Sequence, residues 1–414
     1  MDHNQQIGDD RQPAEAVAGE VLAGLFSAAG RADPYPLYDR LRPFGAAVTT
    51  SDGMLLVSGY AAMAALLRDH RLVKAPERTL VAAGYPDWQD RPALRLMFTS
   101  LLMLNPPAHT RLRRLVSGVF TGRRVELLRS AIEKIVEDGL DALDGAPDFV
   151  DAFAFPLPVN VIGELLGVPA SDRPMFQGLA RDWVTVLEDL RPEAVARGDR
   201  AAADIGAYLG ALARERARRP ADDLISAMVS ALDGDKLTDE ELVTMAALLL
   251  AAGFETTTGL LSNGLVALLA FPAQAALLRD SPSPELAASA TEELLRFDAP
   301  VQLLFSRVAD ADMEVAGLRL TAGQRVTTLL GAGNRDPAVF SAPDALILDR
   351  REQPPLSFGG GIHYCLGAPL ARLEAAVAFP ALLSRYPRLS LAGTPVGRSG
   401  VGFRGHARLP VATG

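Results

Sequence analysis

The sequence predicts a mainly α fold with small β-sheets in a single domain, and three observations predict it. Helical signals recur almost throughout the 414 residues, one of them running without a breaker from Thr238-Asp239-Glu240-Glu241 to about Phe271. Strand-like alternation is short and scattered: residues 46–49 and 55–58 read as a hairpin across Ser51-Asp52-Gly53, and residues 303–308 as a further strand. No Pro/Gly/Ser-rich linker or fixed-period repeat separates two halves. The reading is one domain over residues 18–414, preceded by a disordered tail over 1–17.

Composition narrows the function classes. An apolar fraction of 49% with net charge −9 is ordinary for a soluble globular protein and argues against nucleic acid as a partner. The start, Met1-Asp2-His3-Asn4-Gln5-Gln6, lacks the basic and apolar regions of a signal peptide or membrane anchor, and a single cysteine allows no internal disulfide. The expectation is a cytoplasmic protein with no membrane association.

Along the chain, Asp33-Pro34-Tyr35-Pro36 opens a helix through Leu41. The stretch between Pro76 and Pro107 carries Trp88, Leu94, Leu96, Met97, Phe98, Leu101, Leu102 and Met103, more apolar than a surface loop, so it lines a pocket or packs as a core helix. His109-Thr110-Arg111-Leu112-Arg113-Arg114 opens a helix reaching about Phe120. His109 and Arg113 are four apart and share a face, where two cations attract an anion or simply form a solvated basic surface.

The capping box Thr238-Asp239-Glu240-Glu241 starts a helix of roughly 33 residues, ~50 Å at 1.5 Å per residue, long enough to cross the molecule. Its apolar run 245–254 is too short for a bilayer and ends at Glu255-Thr256-Thr257-Thr258. A carboxylate and β-branched alcohols in mid-helix break local rules, which points to function; the alternative is hydroxyls bonding back to carbonyls one turn earlier. Glu293-Leu294-Leu295-Arg296 allows an i, i+3 ion pair.

The only cysteine sits in Phe358-Gly359-Gly360-Gly361-Ile362-His363-Tyr364-Cys365-Leu366-Gly367. Its glycines let a flat ligand approach the backbone, and Pro369 fits the first turn of a helix whose N-terminal end favours a thiolate, a metal ligand. One cysteine without His-x-x-x-His or Cys-x-x-Cys partners cannot complete a zinc or iron–sulfur site, whereas haem iron needs one protein ligand. A buried structural thiol is the plain alternative.

Phe-x-x-Gly-x-His-x-Cys-x-Gly resembles the haem-binding signature of the cytochrome P450 superfamily, soluble bacterial type, and further motifs follow in order over about residues 30–414. The resemblance implies haem b (iron protoporphyrin IX) with Cys365 as its iron ligand, lying between the long helix and the cysteine loop. Phe358, Gly359 and Gly367 belong to that loop, Ala251-Ala252-Gly253-Phe254-Glu255-Thr256 resembles the oxygen-binding motif, and Phe254 stands where many bacterial members have His. By the same resemblance Ala252 contacts the cofactor, and Glu255 and Thr256 pass protons. His109, Arg113, Arg307 and His363 neutralise the propionates, and Glu293, Arg296 and Arg350 form a buried structural triad. Asn334-Arg335-Asp336-Pro337 follows the bacterial members. The implied fold is the triangular single domain of that family, with small sheets near 46–58, 303–330 and 386–411. The implied activity is a monooxygenase inserting one oxygen atom from O2 into an apolar substrate, by hydroxylation or epoxidation of a polyketide or macrolide-like natural product. A monomer fed by a ferredoxin and its reductase is expected, with Arg111, Arg114, Arg123, Arg124 and Arg372 as the docking face. A peroxide-driven peroxygenase generally lacks the acid–alcohol pair, and a non-catalytic haem carrier or gas sensor needs neither a proton relay nor an apolar pocket.

Overall fold

The computed structural model describes residues 11–119, 122–145, 148–230 and 237–414. Its axis is the helix Asp239–Ala270, begun as the sequence predicts: the Thr238 hydroxyl accepts from the Glu241 N–H at 3.1 Å, and the Glu241 carboxylate accepts from the Thr238 N–H at 2.9 Å. Pro272 follows its end and starts the next helix. Among the described helices this is the one long and apolar enough to cross a membrane, but 72% of its most apolar window is buried against protein. It is therefore a core helix, and Pro156–Leu166, Pro192–Arg218, Pro284–Phe297 and Ala368–Arg385 pack on it.

One close approach fixes the helix that follows the cysteine. A Cβ at Gly264 would lie 2.4 Å from Cζ of Phe379, so only hydrogen there lets Asp239–Ala270 and Ala368–Arg385 meet at this depth. The position of Cys365 relative to the long helix follows from that contact, and Gly264→Ala would force the two apart.

The largest sheet joins β1 (Ala47–Thr49), β2 (Leu55–Val57), β3 (Leu72–Lys74), β4 (Leu304–Ala309) and β7 (Arg325–Thr328) in the order β1-β2-β7-β4-β3, while β5 (Met313–Val315) pairs with β6 (Leu318–Leu320). The expected hairpin is present, with Ala47 opposite Val57. β2 runs parallel to β7, and β3 runs antiparallel to β4, setting Lys74 opposite Arg307. β3 carried no alternation signal because three residues are too few to show one. Four two- or three-residue strands between Ser390 and Ala412 form two further small pairs, near the expected third sheet.

One sequence expectation needs adjustment, and one reaches beyond the described residues. Residues 11–17 are helical, within Arg11–Leu25, because Ala18, Val21 and Leu25 bury against Tyr38, Leu41 and Leu56, so they are not a structureless tail; residues 1–10 lie outside the described part. The basic helix is Ala108–Val119, and its predicted end at Phe120 falls outside the described residues.

Candidate active site

Cys365 ends a loop whose shape depends on glycine. Gly359 and Gly361 have φ of 70° and 64°, and a Cβ on Gly361 would sit 2.5 Å from the Leu67 carbonyl oxygen, so the loop lies flat on the helix Tyr60–Arg68. The Cys365 N–H donates to the Phe358 carbonyl at 2.9 Å, closing the loop on itself. Cys365 is accessible through the cavity it lines yet surrounded by protein, and that burial pushes its thiol above the ordinary value. Backbone N–H groups of Gly367 and Ala368, at the start of Ala368–Arg385, and the Arg113 charge pull the other way.

That cavity holds about 1510 Å³ of space between atoms, part of it open to solvent. One wall is the cysteine loop, with Phe358, Gly359, His363, Cys365 and Gly367; the opposite wall is the long helix, with Leu249, Ala252, Gly253 and Thr256. Leu101, Leu102, Ile162, Met245, Leu248 and Leu304 make most of the rest apolar. Leu101 and Leu102 thus line a pocket as the sequence suggested, while Leu94, Met97 and Phe98 of that stretch are core.

Polar groups gather at one end. His109 and Arg113, one turn apart on Ala108–Val119, meet Lys74 of β3, Arg307 of β4 and His363 of the cysteine loop. The rings of His109 and His363 are 4.4 Å apart. Both ring nitrogens of His109 and Nε of Arg307 are buried without a hydrogen-bond partner. Burial, then repulsion from Lys74, His109, Arg307 and Arg113, brings His363 down to about 3. Burial and Arg307 bring Lys74 down to about 7. Burial also lowers His109, Arg113 and Arg307. Among the described residues no ion pair reaches Lys74, Arg113 or Arg307. All four sequence-predicted cationic residues are together here, and Lys74 is the member sequence reasoning missed.

The acid–alcohol pair is divided. Thr256 lines the cavity and its hydroxyl donates to the Ala252 carbonyl at 2.9 Å, as Thr257 does to Gly253 at 3.0 Å, the back-bonding weighed as an alternative. Glu255, 4% exposed, is not among the cavity-lining residues; its carboxylate is hydrogen-bonded by Arg398 and lies 3.9 Å from Nε of Arg181. Neighbours in a helix point about 100° apart, so adjacency in sequence does not put two side chains in one space. Arg398 gave no sequence signal. Glu374, one turn beyond Leu370, also lines the cavity; it is buried with Oε2 unpartnered, and burial pushes its carboxyl well up.

The comparisons agree with this architecture. The family model described as cytochrome P450 matches residues 200–395. The cytochrome P450 monooxygenase PikC of Streptomyces venezuelae is 40% identical over 379 residues, covering 88% of this chain and 86% of its own. The chain belongs to the cytochrome P450 family. The vitamin D(3) 25-hydroxylase of Pseudonocardia autotrophica is 40% identical over 413 residues, covering 97% of this chain and 99% of its own. Among solved structures, P450BioI in complex with an acyl carrier protein carrying hexadec-9Z-enoic acid has a TM-score of 0.86 at 37% identity, covering 93% of this chain and 100% of that one. A P450 monooxygenase uses haem iron, O2, a small-molecule substrate and redox partners. The cavity suits such a cofactor: it has one thiol, an uncovered face at Gly359 and Gly367 where a Cβ would meet no atom closer than 3.9 Å, and buried orphan nitrogens awaiting acceptors.

Proposed function

We propose that this P450 holds haem b through Cys365 and oxygenates an apolar polyketide or macrolide-like molecule by hydroxylation or epoxidation, as a cytoplasmic monomer reduced by a ferredoxin-type donor. One observation carries the reading: the only cysteine, the cation group and Thr256 line one cavity whose other walls are apolar. The 6-deoxyerythronolide B hydroxylase among the curated relatives, 39% identical, and the tirandamycin C-bound P450 monooxygenase TamI, 38% identical, support the substrate class.

When bound, the haem supplies one-electron redox chemistry and dioxygen activation. The chain's residues divide the remaining work. Cys365 supplies the thiolate, and the N–H groups of Gly367 and Ala368 hold its charge. His109, Arg113, Arg307 and His363 neutralise the two propionates. Leu101, Leu102, Ile162, Met245, Leu248 and Leu249 exclude water and orient the substrate. Thr256 spends its proton on Ala252, so its oxygen is an acceptor facing the cavity, able to hold a water there. Glu255 joins a proton relay by leaving Arg398, with the half-exposed Arg181 beside it as the way towards solvent.

Two of the five arginines proposed for the electron donor's docking face have partners within the chain. Arg111 pairs with Glu241, and Arg372 pairs with Glu292, bonds Tyr364 and lies over the Phe358 ring. Arg114 and Arg123 are exposed, as are apolar Leu127, Ile362 and Tyr364, residue types suited to a transient acidic partner.

The deciding experiment is the reduced carbon monoxide spectrum of Cys365→Ser. Loss of the red-shifted Soret band is expected, and a band like that of the wild type would remove Cys365 as the ligand. In the same preparation series, Thr256→Ala should keep haem and substrate binding but release more peroxide per NADPH consumed; unchanged coupling would take Thr256 out of the relay.

A further inference from the structure

Lys74 is the feature the reaction does not account for. It is 9% exposed and lines the cavity beside His109, Arg113, Arg307 and His363. Its position is built: the Asn105 amide accepts from the Lys74 N–H and donates to the Lys74 carbonyl, both at 2.8 Å, clamping the end of β3. The β3–β4 register then sets Lys74 directly opposite Arg307. Like charges facing each other across an antiparallel pair are destabilising, and burial makes the repulsion worse. The nearest explanation within a folded chain would be a shared carboxylate, yet among the described residues none is ion-paired to either. Glu374 is the acidic residue on the cavity wall; its Oε2 has no hydrogen-bond partner, it forms no ion pair with Lys74 or Arg307, and burial favours its neutral form.

A ligand anion would answer both charges, and both side chains line the cavity where it would sit. We propose that Lys74 is an additional cofactor-binding residue, whose ammonium bridges with Arg307 to one propionate carboxylate of the haem. The inference rests on the haem reading and extends it to a residue outside the four cations read from the sequence. Arg113 and Arg307 bring permanent charge to this end and Lys74 would add a third cation, while His109 and His363 offer ring N–H groups, so the carboxylates would be held by charge as well as by hydrogen bonds.

The test follows haem leaving the holoenzyme for an excess of apomyoglobin, read in the Soret region. Lys74→Met, close in volume and uncharged, should release haem about tenfold faster than wild type, the loss of one charge-assisted bond. Lys74→Arg should restore most of the retention. Repeating the measurement on protein reconstituted with the haem dimethyl ester, which offers no carboxylate, should erase the difference between Lys74→Met and wild type. Equal release of native haem from both proteins overturns the proposal, and so does an equal acceleration with the ester, which would make Lys74 a packing residue. Melting of the haem-free proteins gives a second readout with the opposite sign: Lys74→Met should melt no lower than wild type, because it removes a buried unpaired charge. A lower melting temperature would again mean packing. Failure of the wild type to take up haem at all would sink the cofactor reading itself, a distinct result.

Discussion

Two buried charge clusters in this molecule are built on opposite plans. Around Glu293, charge is closed: Arg296 donates to its carboxylate at 2.7 and 2.8 Å and to the carbonyls of Asn334, Pro343 and Ala345, and Arg350 donates to Glu293 at 3.0 Å. Around Lys74, charge is open: five basic groups converge, orphan nitrogens remain and no carboxylate answers them among the described residues. The closed cluster consists of both signs on neighbouring elements and fixes where the helix Pro284–Phe297 meets the segment 334–352. The open one contains a single sign and has no ion-paired carboxylate among the described residues. Buried charge by itself marks no site; buried charge that the chain leaves unbalanced does.

The largest expected effect tests the closed cluster. Glu293→Ala takes from Arg296, 1% side-chain exposed, its only carboxylate among the described residues and from Arg350, 7% exposed, its buried one, leaving Arg350 with Glu352, and should cost about 3–5 kcal/mol or abolish folding. Urea unfolding measures it, and a cost near zero would erase the distinction drawn here.

A smaller effect sharpens the open cluster through pH. Lys74 faces Arg307 from β4, His109 and Arg113 from the basic helix and His363 from the cysteine loop. Its ammonium is held at about 7 when folded, against 10.5 for the free group, by burial first and Arg307 second. Between these values the unfolded chain binds the proton and the folded chain does not, so stability rises with pH across that window. Below about 7 both states are protonated and the penalty is felt in full. The haem-free wild type should therefore gain stability from about pH 7 to 10 relative to Lys74→Met. Parallel pH profiles for the two proteins would show that Lys74 is relieved by another route.

The smallest effect is at the rim of the closed cluster. Glu352 is pulled to about 2 by the Ser341 hydroxyl and by Arg350, but its carboxylate is partly in solvent. A depressed acid stabilises above its ordinary value and loses that contribution as pH falls towards 2. Screening limits Glu352→Gln to within about 1 kcal/mol at neutral pH. A loss comparable to that of Glu293→Ala would extend the closed cluster to the surface.

What the sequence revealed depends on the distance over which each feature is encoded. The capping box at Thr238, the His109/Arg113 pair, the Glu293/Arg296 pair and the Phe358–Gly367 loop lie within one or two turns of chain, so spacing alone carries them. Lys74 depends on which strand lies beside which, and register over three residues leaves no trace in sequence; Arg398 meets Glu255 from a segment 143 residues away, which spacing cannot show either. Glu255 and Thr256 show the converse. They are adjacent in the chain and lie on different sides of the helix, one paired to Arg398 and the other facing the cavity. Arg111 and Arg372 looked free for docking because Glu241 and Glu292 reach them from distant segments.

The sheet order also sets a timetable for the newborn chain. β2 cannot gain its parallel neighbour until residues 326–328 exist, and the cysteine loop cannot settle on Leu67 until Gly361 does. Lys74, His109 and Arg113 emerge early; at about 5–20 residues per second, Cys365 follows Arg113 by roughly 10 to 50 s. Through that interval the early cations lack the sulfur, and for most of it they lack β4 as well. Cofactor capture by the whole cavity would therefore wait until Cys365 has been made, long after the first cations of the cavity.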